Sequence, residues 1–304
     1  MVNKYVKMGV ETSYGAGATT LSPVRATEFS ISVDHNVIYL EDFDTYNPYD
    51  AVYGVLNVSD NFTMYAIYDS ILDILEAVFG TKTPVDTNAD NITDYYDFTL
   101  SVPKSLEVEV GTTDNVAYDM KGVLLTSIEA SFDVKDVLKF TGNYVAKDIT
   151  EVTHNPGTPT SSQPFIVWNT TISIATATVK AKEFSMTINR GINEDAYIIG
   201  SRYRDSIEYG KTEVSGSCTL EANELTEFKR AFFGSTTATT PQDTPTLADI
   251  TITAKTPDAS KTMTITIPAA IYPKGTLNIT AADPLGKSFD WRLVGDNIQV
   301  RVDA

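Results

Sequence analysis

The sequence predicts a mainly β fold with minor α content, built as two tandem copies of one domain. Three observations lead to this class: runs with an apolar residue at every second position, a repeat of these runs about 155 residues apart, and one amphipathic helix in each copy. Such alternation is the period of a strand with one buried face. We therefore expect two β-sandwich or open-barrel domains, each with one flanking helix, over residues 1–150 and 165–304.

The first element that repeats is a strand. Residues Glu28–Asp34 read EFSISVD, and Glu183–Asn189 read EFSMTIN 155 positions later. A following strand repeats at a displacement of 156, through three matched pairs: Tyr53-Gly54 with Tyr209-Gly210, Val58-Ser59 with Val214-Ser215, and Phe62-Thr63 with Cys218-Thr219. The single cysteine, Cys218, therefore stands where an apolar residue stands in the first copy, and we expect it in the core.

A helix follows these strands in each copy. In the first copy it ends at Phe79-Gly80, and its apolar stripe consists of Ile67, Ile71, Ile74, Leu75 and Val78. The counterpart is predicted to run from about Glu221 to Phe233, and one face carries Leu225, Phe228 and Phe232. The glycine after each helix, Gly80 or Gly234, suits a left-handed cap.

Further strands follow the helices. Leu106–Val110 and Thr262–Ile267 alternate as half-buried strands, and closing strand pairs are predicted near Thr126–Val145 and Gly275–Val294. Between the copies, residues 151–164 contain three prolines and no apolar period. This composition predicts an extended linker.

The composition limits the possible functions. The formal net charge of the 304 residues is −17, and such an acidic surface repels nucleic acid phosphates instead of binding them tightly. The sequence contains neither a run of about 18 apolar residues nor a signal-peptide pattern. We therefore expect no membrane partner and synthesis in a cytoplasm.

The motifs of catalysis are missing from the sequence. Neither His35 nor His154 has a second ligand or a catalytic partner at a suitable spacing, and we expect both in loops or at strand ends. No nucleophile elbow, zinc-protease motif or phosphate-binding loop occurs. The sequence therefore predicts no enzyme, no catalytic residue and no cofactor.

One acidic segment imitates a calcium loop. It consists of Asp86, Asn88 and Asp90 at alternate positions, followed by Asp97. Asn91 replaces the turn glycine of such loops, and Asp97 replaces the final glutamate. We interpret the segment as a solvated acidic loop and assign no metal to it.

A long segment separates the paired strands in each copy. Asn36–Ala51 and Gly191–Ile207 far exceed the roughly 2 to 5 residues of a hairpin loop. Both mix aromatic, aliphatic and charged side chains, as protein interfaces do. The candidate contact residues in these segments are Glu41, Asp42, Phe43, Tyr46, Tyr49, Tyr197, Ile198, Arg202, Tyr203 and Arg204.

Three features occur together in this chain: the opening Met8–Gly15 (MGVETSYG), the order of strand, long segment and strand, and helices that end in Phe-Gly. With these features the sequence resembles the tail tube proteins of long-tailed bacterial and archaeal viruses, over essentially the whole chain. The resemblance implies domains whose sheets join into a ring, and rings that stack into a tube for DNA. It also implies that both long segments reach the adjacent ring.

The resemblance further implies that three two-domain chains form a pseudo-hexameric ring in the virion tail, after synthesis in the host cytoplasm. The expected partners are further copies of the chain and the tape-measure, tail terminator and baseplate proteins. DNA would pass without tight binding through an acidic channel, for which Asp34, Asp60 and Glu208 are candidate lining residues. A carbohydrate-binding or adhesive β-protein of a virus or cell surface remains the alternative, since threonine, tyrosine and Asn-x-Ser/Thr triplets are frequent.

Overall fold

The structure, a computed structural model, describes residues 4–44, 46–159, 162–279, 286–295 and 297–304. Its elements in chain order are β1 (Tyr5–Val10), β2 (Ser22–Val24), β3 (Ala26–Phe29), β4 (Ser32–Asp34), β5 (Val37–Leu40), β6 (Asp50–Tyr53), β7 (Asn57–Tyr65), α1 (Tyr68–Phe79), β8 (Gly80–Val85), β9 (Tyr95–Leu100), β10 (Leu106–Gly111), β11 (Val116–Asp133), β12 (Lys139–Ala146), β13 (Asp148–Thr153), β14 (Ile166–Ile174), β15 (Ala177–Thr178), β16 (Ala181–Asn189), β17 (Glu213–Leu220), α2 (Thr226–Phe233), β18 (Ala248–Lys255), β19 (Thr262–Asn278), β20 (Gly286–Leu293) and β21 (Gln299–Asp303). The predicted mainly β class with minor α content is confirmed.

The internal repeat is visible in the strand ladders. In the first half, β1 to β13, strand β7 pairs with β3 and β4 on one edge and with β12 on the other. In the second half, β14 to β21, strand β17 pairs with β16 and β20 in the same way. Even an irregularity recurs, because the register shifts between Ala26 and Glu28 and again between Ala181 and Glu183. The two halves therefore have the same local topology.

One long strand connects two sheets within the first half. The beginning of β11 pairs with β10 and β13, whereas its end pairs with β12. The strand bends at Gly122, which has a φ of 61°. A Cβ at this position would lie 2.7 Å from Cβ of Lys147, so the bend requires glycine on both conformational and steric grounds.

The halves share sheets with each other. The end of β11 pairs antiparallel with β16, from Ser127 opposite Asn189 to Asp133 opposite Glu183. A second ladder joins β9 to the last strand, β21, and an ion pair of 3.0 Å between Asp97 and Arg301 crosses it. These two ladders, together with single backbone hydrogen bonds such as that from Leu56 N–H to the Arg202 carbonyl at 2.8 Å, connect the two copies of the fold.

Helix α1 agrees with its sequence prediction. All five residues of the predicted apolar stripe are buried, and Gly80 caps the helix with a φ of 85° and an N–H that donates to the Glu76 carbonyl. The cap at Gly234 is also as predicted, since its φ is 83° and its N–H donates to the Arg230 carbonyl.

Helix α2 differs from its prediction in length and in its buried face. It begins at Thr226 and not near Glu221, because the Lys287 ammonium binds the carbonyls of Ala222 and Glu224, at 2.6 and 3.1 Å, and holds them in a turn. Leu225 and Phe232 of the predicted face are 49% and 45% exposed. The buried side is formed by Phe228 and a Glu227–Arg230 ion pair of 2.8 Å.

The segment between the halves starts later than the sequence suggests. Residues 151–153 belong to β13, and the stretch without regular structure begins at His154. Thr160 and Ser161 lie outside the described residues. The division into domains 1–150 and 165–304 stays a prediction. In the described part of the chain, no helix has the length and hydropathy needed to cross a bilayer.

Candidate assembly surfaces

The junction between β11 and β16 has one apolar and one polar face. On the apolar face, Phe132 lies opposite Phe184 and Ile128 opposite Ile188, and all four side chains are buried. The Phe132 and Phe184 rings meet edge to face with centroids 6.0 Å apart. A strand pairing that also buries apolar area stabilises the contact far more than hydrogen bonds alone.

The polar side of this sheet forms a continuous surface, which we call the open face. It consists of the side chains of β3, β4, β7, β12, β11, β16, β17, β20 and β19 that alternate with buried ones. Short hydroxyl and amide side chains dominate it and bind across strands, as in Ser185 with Ser217 at 3.0 Å and Asn143 with Ser127 at 2.9 Å. Its acidic residues are Glu28, Asp34, Glu129, Asp133, Glu183, Glu213 and Asp290, and its basic residues are Lys139, Lys274 and Arg292.

Of the three acids predicted to face a channel, only Asp34 lies on the open face, where it accepts the Asn36 N–H at 2.8 Å. Asp60 lies on the same side of β7 as the buried Val58 and Phe62. Glu208 is exposed outside the strands and accepts a 2.6 Å hydrogen bond from Asn193. The sequence could not separate these positions, because all three lie on or beside strands.

The first long segment is a hairpin that stands out from the main sheets. Strands β5 and β6 pair only with each other among the described strands, from Val37 opposite Tyr53 to Leu40 opposite Asp50. Its tip, which includes Glu41 and Asp42, carries fully exposed aromatic rings: Phe43 and Tyr46 have relative exposures of 109% and 108%, and Tyr49 one of 58%. Aromatic side chains that project from a surface mark an interaction site.

The second long segment packs on the first half of the same chain. Arg204 is 2% exposed and donates to the Ala146 carbonyl at 2.8 Å and to the Asn57 side chain at 2.6 Å. The Tyr197 hydroxyl donates to the Leu56 carbonyl at 2.8 Å, and Arg202 Nε donates to the Gly54 carbonyl at 2.9 Å. These three residues therefore tie the halves together.

Other residues of the second segment remain available for contacts. Ile198 is 53% exposed, Tyr203 41% and Ile199 106%. The stacking role of this segment stays a prediction.

The two histidines and the cysteine pack against other parts of the protein. His35 follows β4 and stacks on Tyr53 with ring centroids 4.6 Å apart, and His154 follows β13, as predicted. Cys218 is buried as predicted, and burial raises the pKa of its thiol to about 12.

The acidic segment after β8 forms a turn. The Asp86 carboxylate accepts the N–H groups of Asn88, Ala89 and Asn91 at 2.7 to 3.1 Å, and Asp97 lies apart on β9 with its Arg301 partner. Within the described ranges, no three or more His, Cys, Asp or Glu side chains are grouped to hold a metal ion.

The sheet that carries the open face has a strand edge without a partner at each end, within the described part of the chain. One is the outer edge of β3 and β4, which pair only with β7. The other is the end of β19, residues 271–278, which pairs only with β20. An unpaired edge is a template for another strand. The sequence repeat did not indicate these edges, because the counterpart of β3 and β4, strand β16, is paired on both sides.

The chain thus has two copies of one fold joined through a sheet, and each end of that sheet offers an edge with which a further strand can pair. A family model described as phage tail tube protein matches residues 3–293. The chain belongs to this family. As a tail tube protein it is a structural component of the virion tail, and family membership favours this function over the carbohydrate-binding alternative. No curated protein matches the chain.

Proposed function

We propose that copies of this chain associate edge to edge into rings, and that the rings stack into a tube that conducts DNA. The observation that supports ring formation most strongly is the β11–β16 junction. It joins two copies of one fold head to tail within the chain. A head-to-tail contact that repeats closes into a ring when its rotation is a whole fraction of a turn without a shift along the axis.

Three chains per ring are the number that the resemblance to tail tube proteins implies. Each chain contributes two halves, so three chains give six repeats around the axis. The internal junction then alternates with a similar junction between chains, and the ring is a pseudo-hexamer.

The open face is the proposed wall of the channel. Short polar side chains dominate this face, and its seven acidic residues outnumber its three basic ones, Lys139, Lys274 and Arg292. Like charges keep the DNA backbone away from the wall, so DNA can slide without adhering. The acids that we assign to the channel are those of the open face, including Asp34.

Stacking is assigned to the β5–β6 hairpin. Its exposed aromatic tip is suited to burial against the next ring, with Ile198, Ile199 and Tyr203 as further contacts. Tape-measure, tail terminator and baseplate proteins would meet the inside and the two ends of such a tube.

Negative-stain microscopy and mass photometry of the purified protein test the proposal. We expect hollow tubes or stacked rings, and ring masses that are multiples of three chains. A protein that stays monomeric across concentrations and salt conditions would contradict tube formation, and single rings of six chains would contradict the trimer.

A further inference from the structure

The contact between neighbouring chains can be specified to the residue, because the ladders define equivalent positions in the two halves. Phe62 and Cys218 occupy the same place in the sequence repeat. Phe62 pairs with Gly142, and Cys218 pairs with Phe289. Gly142 and Phe289 are therefore equivalent.

The pairing partners of Gly142 and Phe289 then identify equivalent positions in the long strands β11 and β19. Gly142 pairs with Ile128, and Phe289 pairs with Gly275, so Ile128 and Gly275 are equivalent. The bulges agree with this assignment, because the register of β11 on β12 shifts between Leu125 and Ser127, and that of β19 on β20 shifts at the corresponding place, between Ile271 and Lys274.

The partner strand of the junction also has an equivalent. Ile128 pairs with Ile188 of β16, and Ile188 is the repeat counterpart of Val33 in β4, 155 positions earlier. In the chain itself Gly275 and Val33 both lie on unpaired edges. The edge with Gly275 thus corresponds to the β11 side of the internal junction, and the edge with Val33 corresponds to the β16 side.

We propose that residues Lys274–Ile279 of one copy pair antiparallel with Phe29–Asp34 of the next copy, with Gly275 opposite Val33. This inference rests on the proposed function, since it assumes that copies associate in the manner of the two halves. It adds the partner edge and the register.

The apolar face of the proposed contact is present and uncovered. Val33, Leu277 and Ile279 are 43%, 39% and 76% exposed. Their counterparts in the internal junction are buried, as Ile188 at 1% exposure illustrates. Pairing of the two edges would remove these side chains from water and so stabilise the contact.

A groove beside β3 supports the same register. It has a volume of about 960 Å³ and is bordered by Val24, Ala26, Thr27, Glu28 and Phe29. The residues 155 positions later, Val179 and Ala181–Phe184, border a cavity of only about 70 Å³, which Phe132 of β11 helps to line. In the proposed register, Ile279 of one copy lies opposite Phe29 of the next and takes the place that Phe132 has in the internal junction.

The polar face of the contact is electrostatically suitable. The register places Lys274 of one copy opposite Asp34 of the next, and Thr276 opposite Ser32. Opposite charges across a strand pair are favourable, whereas a shift by one residue would place Lys274 opposite Val33.

Disulfide trapping tests the register. The variant Ser32→Cys/Thr276→Cys should form covalent dimers and trimers under mild oxidation, while an equimolar mixture of the two single variants should stop at dimers. Cys218 does not compete, because it is buried and its thiol pKa is raised to about 12. The matched internal control is Glu129→Cys/Thr187→Cys, at the equivalent pair, which should give only a cross-linked monomer.

The off-register variant Ser30→Cys/Thr276→Cys should cross-link about tenfold less, because diagonal pairs lie beyond disulfide reach. Preferential cross-linking of this variant would overturn the register. Tubes that are seen by microscopy but give no cross-link, while the internal control does, would overturn the edge assignment and leave the tube function intact. If neither tubes nor cross-links form, both proposals fail.

Discussion

At the scale of single residues, two buried carboxyl groups in the first half have opposite effects on stability. The hydrogen bonds of Glu11 favour the fold, whereas the burial of Asp119 opposes it. Glu11, in the opening segment, is 4% exposed and accepts hydrogen bonds from the N–H groups of Gly15 and Gly122, at 2.8 and 3.1 Å, and from the Ser105 hydroxyl at 2.5 Å. These hydrogen bonds stabilise the Glu11 carboxylate and hold the opening segment in place. Asp119 is 7% exposed, and its Oδ1 has no hydrogen-bond partner among the described residues.

The Asp119 carboxyl should make stability depend on pH. Burial, with Glu107 beside it, raises the pKa of Asp119 from 3.8 to about 6. Between these values the folded protein binds a proton that the unfolded chain has released, so this group's contribution to stability falls as the pH rises from about 4 to 6. Asp119→Asn should therefore be more stable than the parent at pH 7, by roughly 1 to 2 kcal/mol, and the difference should shrink towards pH 4.

Urea unfolding at a series of pH values measures this effect. Asp114→Asn, in the exposed turn between β10 and β11, is the matched control. A gain for Asp119→Asn that is the same at pH 4 and pH 7 would show that the charge of Asp119 is not its cause.

At the scale of elements, the β5–β6 hairpin stands apart from the core. It forms its own two-stranded sheet, and a two-stranded hairpin is marginal in water without further packing. Its exposed apolar side chains are therefore costly unless another molecule covers them. The second long segment, by contrast, packs on the core, since Arg204 and Tyr197 anchor it to the first half.

Shortening this hairpin should separate ring formation from stacking. Replacement of Glu41–Tyr49 by Asn-Gly connects the paired residues Leu40 and Asp50 with a favourable two-residue turn. We expect unchanged circular dichroism and normal rings, but no long tubes in electron micrographs. The milder variant Phe43→Ser/Tyr46→Ser should shorten the tubes, and tubes of parental length from both variants would refute the stacking role.

At the scale of the whole molecule, we expect the internal junction to be stronger than the proposed contact between chains. The β9–β21 ladder reinforces it, and β9 belongs to the β8–β9 hairpin. The second half has no such hairpin, because residues 235–247, all described, contain no strand. The proposed contact between chains has one ladder where the internal junction has two, which suits subunits that fold first and assemble afterwards.

The charge of the open face should govern DNA passage. Glu129→Lys/Asp290→Lys reverses two charges on the proposed channel wall, and in a ring the change is multiplied by the number of chains. Tubes of this variant should protect added DNA from nuclease at low salt and release it as salt rises, because lysine contacts release counterions. Asp114→Lys/Glu151→Lys, on exposed residues away from this face, should bind DNA without protecting it. Equal protection in both variants would contradict the assigned wall.

The sequence alone was enough to predict the repeat, several of its strands and the C-terminal end of each helix. These features depend on local periods: alternation marks a half-buried strand, and Phe-Gly ends each helix. The displacement of 154 to 156 residues holds only up to the helices, because the β8–β9 hairpin is an insertion in the first half. After it, the equivalent Gly142 and Phe289 are 147 residues apart. Alternation alone could not reveal this change.

The pairing of the strand edges became known only from the tertiary structure. Glu28–Asp34 and Glu183–Asn189 have nearly the same sequence, yet the first lies on an unpaired edge and the second is enclosed between β11 and β17. Likewise Tyr46 is exposed and Arg204 is buried, although both lie in long segments of similar composition. Strand pairing and burial depend on contacts between residues far apart in the chain, and a local sequence pattern carries no information about which distant strand is its partner.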